Sequence, residues 1–412
     1  MPLLLRLRLS LLMLGQYAMF GAWFVTLGTY MSKGLHFDGA IGVAYGMQGI
    51  AAVISTLFVG VVADRMFSAQ KVLAVMLALS AGSLLWLATV TRSEALFLIV
   101  VMLHFLAFVP TVPLGTAVIF NALDDPATQF PQIRVVGTFG WILSGIAIGS
   151  IAGAAETSLP LVIAGCIGLV AAGYALTLPD TPPRARGAPI SIAGLFGLDL
   201  LGMIKDRSFW TLIFACSVIM IPLSFYYAYC NNFLQEAGAS ITIGGKRFEA
   251  TALQALGQVS ELVFLLLLPL FLRRLGIKGV ILIGMAGWVV RYTLFAIGFD
   301  GSGPAISSLL VIGILLHGIC YDFVLVAASI YVEQTVPPEA RSRAQSFLAM
   351  LNMGLFILIG AAFANMVYTL NTTSTAHLWS NIWAVPAALA AVSFVTFALA
   401  FRERHGASPS PG

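Results

Sequence analysis

Residues 179–208, which read PDTPPRARGAPISIAGLFGLDLLGMIKDRS, form the longest polar interruption in an otherwise apolar sequence. The segment contains Arg184, Arg186, Lys205 and Arg207, as a cytoplasmic loop between two membrane bundles would. Its middle, 190–204, predicts a helix that lies at the membrane surface. The segment therefore predicts a linker that joins two separate apolar halves.

Apolar runs of spanning length lie on both sides of this linker. A helix needs about 20 apolar residues to cross about 30 Å of hydrocarbon. The sequence therefore predicts an all-α integral membrane protein with twelve transmembrane helices, six in each half. The predicted spans are 9–31, 41–63, 72–91, 95–120, 133–154 and 159–178 before the linker, and 209–233, 252–272, 279–299, 306–332, 346–370 and 382–401 after it.

The halves define the predicted domains of the chain. Residues 1–178 form an N-terminal six-helix bundle, 179–208 the cytoplasmic linker, 209–402 a C-terminal six-helix bundle, and 403–412 a cytoplasmic tail. Two bundles of six helices are typical of transporters in which the halves rock around a site near the middle of the membrane. We therefore expect a central substrate cavity between the bundles.

The composition excludes several other classes of protein. Hydrophobic residues make up 59% of the chain and charged residues only 9%, with a mean hydropathy of +0.97. A soluble domain carries roughly a quarter charged residues. The pI of 8.9 comes from scattered basic residues rather than a basic run, so nucleic-acid binding is not expected. The four cysteines show no C-x-x-C pairing, which argues against a disulfide or a metal site.

The orientation follows from the 21 Lys and Arg residues, most of which fall in loops on one side of the predicted bundles. Cytoplasmic loops retain positive residues during insertion, so we expect both termini in the cytoplasm. The predicted cytoplasmic segments hold Arg6, Arg8, Arg65, Lys71, Arg184, Arg186, Lys205, Arg207, Arg273, Arg274, Lys278, Arg341, Arg343, Arg402 and Arg404, and the outside loops hold Lys33, Arg92, Lys246 and Arg247.

Few ionisable side chains lie inside the predicted spans. Glu261 and Asp322 fall near the middle of the eighth and tenth spans. Carboxyl groups at that depth are costly, so they normally face a cavity or a partner and mark the transport route. Arg291, in the ninth span, shares its helix face with no polar neighbour, and we expect a structural role in which it satisfies a carboxylate elsewhere. His104 is expected to be an interhelical hydrogen-bonding residue.

Helical spacing groups polar residues in the fifth and eighth spans. Arg134, Thr138 and Trp141 recur at i, i+4 and i+7, so one face carries a cation, a hydroxyl and an aromatic ring. A helix-end or headgroup role for Arg134 is the alternative. Gln258 and Glu261 are i, i+3 neighbours, which places an amide beside a carboxyl group. Such a pair can bond both the donor and the acceptor positions of a heterocycle.

The tenth and seventh spans carry a second polar group. His317 and Tyr321 share a helix face, with Asp322 beside it. The seventh span ends in an aromatic and amide-rich stretch that includes Ser224 and Tyr227. A belt of aromatic residues at the membrane surface is an equally good explanation of that stretch.

Small residues mark a packing face on the fifth span. Gly145, Gly149 and Gly153 recur at every fourth position. Such a stripe lets two helix backbones approach closely. We therefore predict helix packing rather than a binding site along this face.

Two loops resemble each other across the halves. The loop after the second span reads GVVADR from Gly60 to Arg65, followed by Lys71, and the matching loop of the second half holds Arg273, Arg274 and Lys278. The first of these resembles the G-x-x-x-D-R loop signature of the major facilitator superfamily. Together with twelve predicted spans and a central linker, it indicates the major facilitator fold.

Several longer segments resemble one bacterial family within that superfamily, the nucleoside:proton symporters. The segments that carry the resemblance are FPQIRVVGT at 130–138, QVSE at 258–261, YDF at 321–323, GAW at 21–23, TLGTY at 26–30, FDGA at 37–40 and ADR at 63–65. The resemblance runs from the first span to the last, and these motifs are specific to the family rather than to the superfamily.

The resemblance implies uptake of purine and pyrimidine nucleosides coupled to proton entry across the bacterial inner membrane. It implies no cofactor beyond the proton gradient, and we expect a monomer that contacts membrane lipids. Ser224 and Tyr227 stand where the family has Gln and Asn, and His317 and Trp141 replace other aromatic residues. The cavity-lining positions that it implies are Arg134, Thr138, Trp141, Ser224, Tyr227, Gln258, Glu261, His317, Tyr321 and Asp322.

The leading hypothesis for the mechanism is alternating access. Gln258 and Glu261 bind the edge of the base, Trp141 or Tyr321 stacks on its face, and Arg134 contacts the ribose side. Asp322 is the first candidate for carrying the proton, and Glu261 is the second.

Three alternatives remain open. A sugar or drug transporter of the same fold is the nearest, and a nucleoside-binding receptor without transport is another. An enzyme is not expected, because the spans contain neither a paired nucleophile and base nor a metal cluster.

Overall fold

The computed structural model describes residues 2–58, 66–124, 126–183, 204–337, 341–373 and 376–402. The predicted surface helix at 190–204 lies outside the described residues except for its last residue. The GVVADR loop at 60–65 and the tail 403–412 lie entirely outside them. These predictions therefore remain predictions.

The described part of the first half consists of helices. A proline at position 110 has no N–H to donate, and the fourth predicted span is accordingly split there into two helices. The helices are α1 (Leu3–Trp23), α2 (Leu27–Thr29), α3 (Ile41–Phe58), α4 (Ala69–Leu87), α5 (Glu94–Phe108), α6 (Thr111–Ala122), α7 (Pro126–Gly149) and α8 (Leu159–Ala175).

The second half repeats this organisation and adds a small hairpin. Gly276, with φ of 66°, turns the chain between the two parts of one long helical stretch, because a left-handed backbone favours glycine. The elements are α9 (Arg207–Val218), α10 (Met220–Glu236), β1 (Ile241–Ile243), β2 (Lys246–Phe248), α11 (Ala250–Gly298, including the turn), α12 (Ser307–Leu315), α13 (His317–Tyr321), α14 (Ala327–Thr335), α15 (Arg341–Ala349), α16 (Ile357–Leu370) and α17 (Trp379–Ala400).

Among the described residues, three helical stretches contain wide turns in which the hydrogen bonds run to the fifth residue rather than the fourth. These π-helical segments are Tyr30–Gly34, Asp322–Val326 and Met350–Phe356. Such turns shift the faces of the residues that follow and are frequent at functional sites. Asp322 is the first residue of one of them.

Each predicted span overlaps a described helix. Among the described residues, nine helical stretches are long and apolar enough to cross a membrane, and the 49-residue stretch α11 is counted as one of them although Gly276 divides it. Leu159–Ala175 is apolar but shorter. The membrane-embedded, all-helical class is therefore confirmed, whereas the count of twelve crossings stays a prediction.

The start of the linker is attached to the first half. The amide of Gln70 donates to Asp180 through Nε2 and accepts from the N–H of Thr181 through Oε1 at 2.8 Å. Hydrogen bonds from Gln70 and Ser68 lower the pKa of the exposed Asp180 carboxyl. The described part of the linker, up to residue 183, therefore lies against the beginning of α4.

The two halves contact each other on the side opposite the described chain ends, which we call the distal side. The Thr29 hydroxyl donates to Asn231 at 2.8 Å, and Gly42 N–H donates to Asn365 at 2.9 Å. The N–H of Gly153 donates to the Glu249 carboxylate at 3.1 and 3.2 Å. These bonds join the first half to the second and close the seam between them on the distal side.

Glycines line this closed seam. Gly42, Gly46 and Gly49 of α3 face Ala361 and Leu358 of α16 and the turn before it. On the other flank of the seam, Gly145 and Gly149 of α7 face Ala255 and Ala252 of α11. The predicted packing face is therefore present, although Gly153 lies beyond the end of α7 and has a left-handed backbone, with φ of 70°.

Replacing Gly149 by Leu is expected to open the distal side. A side chain at this position would overlap the backbone of Ala252, and overpacking of this kind costs about 1–3 kcal/mol. That cost falls on the closed arrangement alone and favours an arrangement in which α7 and α11 separate. Spin labels at the exposed positions 94 and 247 should show a longer distance in the variant.

The matched control is Gly173→Leu, because a Cβ at Gly173 meets nothing within 4 Å. It should leave the label distance unchanged. An unchanged distance in Gly149→Leu with normal folding would contradict this role for the close approach.

Candidate functional site

A polar cluster forms where α11 and α13 cross. Gln258 and Glu261 lie on one face of α11, and His317 lies on α13. Nε2 of His317 is 2.9 Å from Nε2 of Gln258 and 3.7 Å from Oε2 of Glu261. The two helices cross closely at Gly318, because the absence of a Cβ there leaves room for the backbone of Ser260. The fold therefore places the predicted pair, Gln258 and Glu261, beside His317.

Arg291, from the second part of α11, lies behind this histidine. Its side chain is fully buried, and Nη1 is 3.0 Å from Nδ1 of His317. The guanidinium carbon lies 3.8 Å from the centre of the Tyr226 ring. The expectation that Arg291 satisfies a carboxylate was wrong for the described residues, where its partners are an imidazole and aromatic rings. Sequence spacing relates residues on one helix only, so it could not show this contact between two helices.

The first half contributes one face of α7. The Arg134 guanidinium carbon lies 4.2 Å from the centre of the Tyr17 ring, a cation–π geometry. Trp141 contacts Phe20 edge to face, with ring centres 5.0 Å apart. Thr138 is half-buried between them along the helix. The face predicted from spacing therefore points toward the first helix and the seam.

The charged groups of the two halves converge. The Arg134 charge acts on both the Glu261 carboxyl and the Tyr321 hydroxyl, and Tyr321 is also within the range of Asp322. Asp322 is 1% exposed and interacts electrostatically with Glu261. Its Oδ2 has no hydrogen-bond partner among the described residues. The arrangement gathers two carboxyl groups, a guanidinium and a phenol at the seam between the halves.

Aromatic rings lie beside these charges. Phe24 of the first half packs edge to face on Tyr227 of the second, with centres 5.2 Å apart. Rings of this kind could stack on or flank a planar ligand. A narrow cavity at this point is lined by Val25, Trp141, Gly145, Tyr226, Tyr227, Thr251, Gln254, Ala255 and Gln258.

Ser224 is the one predicted site residue that the structure places elsewhere. It is buried, and its hydroxyl donates to the carbonyl oxygen of Met220 at 2.9 Å. A Cβ at Gly360 would meet this hydroxyl, so Ser224 packs against α16. Tyr227, three residues later, reaches the cluster instead.

Sequence reasoning did not identify Tyr17 or Gln254, and it placed Tyr226 in the aromatic stretch without assigning it to the site. Tyr226 lies beneath the Arg291 guanidinium, and Tyr17 lies beneath that of Arg134. Gln254 accepts from the Asn231 amide at 2.6 Å and so joins the cavity to the closed distal side. Helical spacing could have identified Gln254, because it precedes Gln258 by one helical turn and lies on the same face.

His104 is confirmed as an interhelical residue. Its Nδ1 is 3.1 Å from both the hydroxyl and the carbonyl oxygen of Ser80, on the neighbouring α4. The ring stacks on Phe108 and meets Trp23 edge to face. These contacts all lie within the first half, and Nε2 has no hydrogen-bond partner among the described residues.

Comparison with known proteins gives a consistent result. A family model described as "Nucleoside H+ symporter" matches residues 3–406. The putative nucleoside transporter YegT of Escherichia coli (strain K12) is 36% identical over 409 residues, which are 96% of this chain and 93% of that protein. Xanthosine permease of the same strain is 32% identical over 407 residues, or 97% and 96% of the two chains.

A solved structure agrees with these matches. The crystal structure of nucleoside transporter NupG superposes with a TM-score of 0.85 at 30% identity and covers 97% of this chain and 100% of that one. A peptide transporter of the POT family superposes with a TM-score of 0.74 at 14% identity, which concerns the fold alone. The relatives are permeases and transporters rather than enzymes.

Proposed function

The chain belongs to the nucleoside H+ symporter family of transporters, and from this membership we propose that it takes up purine and pyrimidine nucleosides together with protons by alternating access. The observation that carries the proposal is the convergence of Arg134 from one half with Glu261 and Tyr321 from the other. A ligand bound among these groups would contact both halves at once. Binding could then change the relative stability of the two arrangements of the halves.

The site suits a nucleoside better than a plain sugar. Gln258 and Glu261 offer an amide and a carboxyl group to the edge of a base, and Trp141 or Tyr321 offers a ring to its face. Arg134 lies on the other side of the seam, where it would contact the ribose. Loss of a hydrogen bond that a site is built to make discriminates strongly between substrates.

Thr138, Tyr227 and His317 complete this proposed substrate site. Tyr227 lines the cavity with Gln258, His317 bonds to Gln258, and Thr138 lies one turn from Arg134 on the same helix. We assign no substrate contact to Ser224, because its hydroxyl bonds to its own helix and packs against α16.

Proton coupling requires a carboxyl group whose protonation differs between the two arrangements. Burial penalises the charged form, whereas water or a nearby cation favours it. Asp322 is the first candidate, because it is buried and one of its oxygens has no hydrogen-bond partner among the described residues. Glu261 is the second, because it lies within the range of the Arg134 charge.

The orientation and the conformational state belong to the same proposal. The excess of basic residues on the side of the chain ends supports a cytoplasmic location for both termini, in a bacterial inner membrane. The distal side, closed by the Thr29–Asn231 and Gly42–Asn365 bonds, would then face outside. This arrangement corresponds to a transporter whose site opens to the cytoplasm.

Uptake of labelled uridine into proteoliposomes tests this function. With an acidic exterior, uridine should accumulate, and a protonophore should abolish the accumulation. If one proton enters per nucleoside, a gradient of one pH unit supports about tenfold accumulation, since one unit is worth about 1.4 kcal/mol. Excess adenosine should compete and excess glucose should not. Binding without flux would indicate a receptor, and competition by sugars alone would indicate a sugar transporter; either result would overturn the proposal.

A further inference from the structure

We propose that Arg291 is a positioning residue that fixes the tautomer of His317 and, through it, makes Gln258 a hydrogen-bond donor toward the substrate. The three side chains form a continuous chain of contacts. Nη1 of Arg291 lies 3.0 Å from Nδ1 of His317, and Nε2 of His317 lies 2.9 Å from the amide of Gln258. This inference refines the substrate site and rests on the proposed function for its meaning in transport.

The first step is the polarity of the Arg291–His317 contact. A guanidinium group has only donors, so Nδ1 of His317 must accept. A protonated imidazole would place a second N–H and a second positive charge against the guanidinium in a fully buried pair. His317 is therefore neutral, and its single proton resides on Nε2.

The second step is the orientation of the Gln258 amide. Since Nε2 of His317 donates, the amide must present its oxygen to that nitrogen, because two N–H groups do not bond to each other. A half-turn of the amide achieves this without moving its other atoms. The NH₂ group of Gln258 is then directed away from His317. The same imidazole N–H faces the Glu261 carboxyl at 3.7 Å.

The consequence concerns the chemistry of the substrate. Gln258 acts as a donor and, in its ionised form, Glu261 as an acceptor. The bound edge must therefore offer an acceptor next to a donor, as a carbonyl beside a ring N–H does. Without the fixed imidazole, the amide could turn and offer either group.

The burial of Arg291 supports a role beyond packing. Its Nε and Nη2 have no hydrogen-bond partner among the described residues, and no described carboxylate lies within ion-pair distance of it. The Tyr226 ring, 3.8 Å away, compensates part of the cost of burial. A buried cation retained at such a cost is expected to serve the site rather than the stability of the fold.

Nitrogen-15 NMR of histidine-labelled protein tests the tautomer directly. The His317 signals are assigned by their loss in His317→Asn. In the wild type we expect an unprotonated Nδ1 and a protonated Nε2. In Arg291→Met we expect a mixture of tautomers or a shift of the proton to Nδ1. A protonated Nδ1 in the wild type would overturn the inference, and this measurement requires no transport.

Uridine uptake tests the consequence for binding. Loss of a charge-assisted hydrogen bond that positions the site should raise the KM of Arg291→Met about tenfold, with the maximal rate changed by less than about threefold. Arg291→Lys, which keeps a donor to Nδ1, should recover most of the affinity. An unchanged KM in Arg291→Met, or a loss confined to thermal stability, would contradict a positioning role.

Arg92→Met serves as the matched control, because Arg92 is an exposed loop residue. Its KM should equal that of the wild type. If the wild type shows the expected tautomer but does not take up uridine, the proposed substrate is rejected and the positioning role of Arg291 stands. If the wild type takes up uridine but shows a protonated Nδ1, the proposed function stands and the positioning role is rejected.

Discussion

Uridine accumulation driven by a pH gradient is expected to vanish in Asp322→Asn, so that the internal concentration rises only to the external one. Asn keeps the shape of Asp322 but cannot bind and release a proton in this range. Asp322 is 1% exposed and interacts electrostatically with Glu261. Its loss should separate substrate movement from proton movement. Labelled-uridine counterflow without a gradient should persist and shows that the variant is folded.

Asp300→Asn is the control for this variant. Asp300 lies in an exposed loop, where N–H groups of Ser302 and Gly303 lower the pKa of its carboxyl. It therefore stays ionised over the pH range of transport and should not take part in coupling. Unchanged pH-driven accumulation in Asp322→Asn would remove Asp322 from coupling and transfer that role to Glu261.

Glu261→Gln is expected to weaken uridine binding by about ten- to a hundredfold. The carboxylate supplies a charged acceptor, and hydrogen bonds to charged groups contribute about 1.5–3 kcal/mol. The change also removes the opposite charge that faces Arg134 across the seam. Equilibrium binding of labelled uridine to purified protein measures the effect separately from transport.

Glu94→Gln provides the comparison, because Glu94 is an exposed residue in the first turn of α5. Its affinity should be that of the wild type. An affinity for uridine that is unaltered in Glu261→Gln would place the base elsewhere in the cavity. Combining Glu261→Gln with Arg134→Gln should give less than the sum of the single effects if the two groups act on one ligand.

Much of the architecture could be predicted because its causes are local. Apolar length alone identifies the membrane helices, and a spacing of three or four residues places Gln258 beside Glu261 and His317 beside Tyr321. The rings of the latter pair are 5.9 Å apart. The cost of a carboxyl group in hydrocarbon was sufficient to single out Glu261 and Asp322.

The contacts of Arg291 and Ser224 could not be predicted, because they depend on how separate helices cross. Nothing in the sequence near Arg291 indicates that His317, on another helix, reaches its guanidinium. Ser224 was assigned to the site from the family resemblance. That resemblance does not reveal that its hydroxyl bonds to the backbone of its own helix. The wide turn at Asp322–Val326 also shifts helical faces in a way that a spacing of 3.6 residues does not describe.

The glycines that line the distal seam affect what must change when the two halves separate there. Because Gly42, Gly46 and Gly49 present backbone rather than interlocking side chains, separation requires no rotamer change in α3 at these positions. The polar contacts broken at Thr29 and Asn365 can be exchanged for contacts with water. A complete reversal of a two-state population needs about 5.5 kcal/mol of differential binding. In the proposed alternating access, a seam without interlocking side chains would add no side-chain rearrangement in α3 to that requirement.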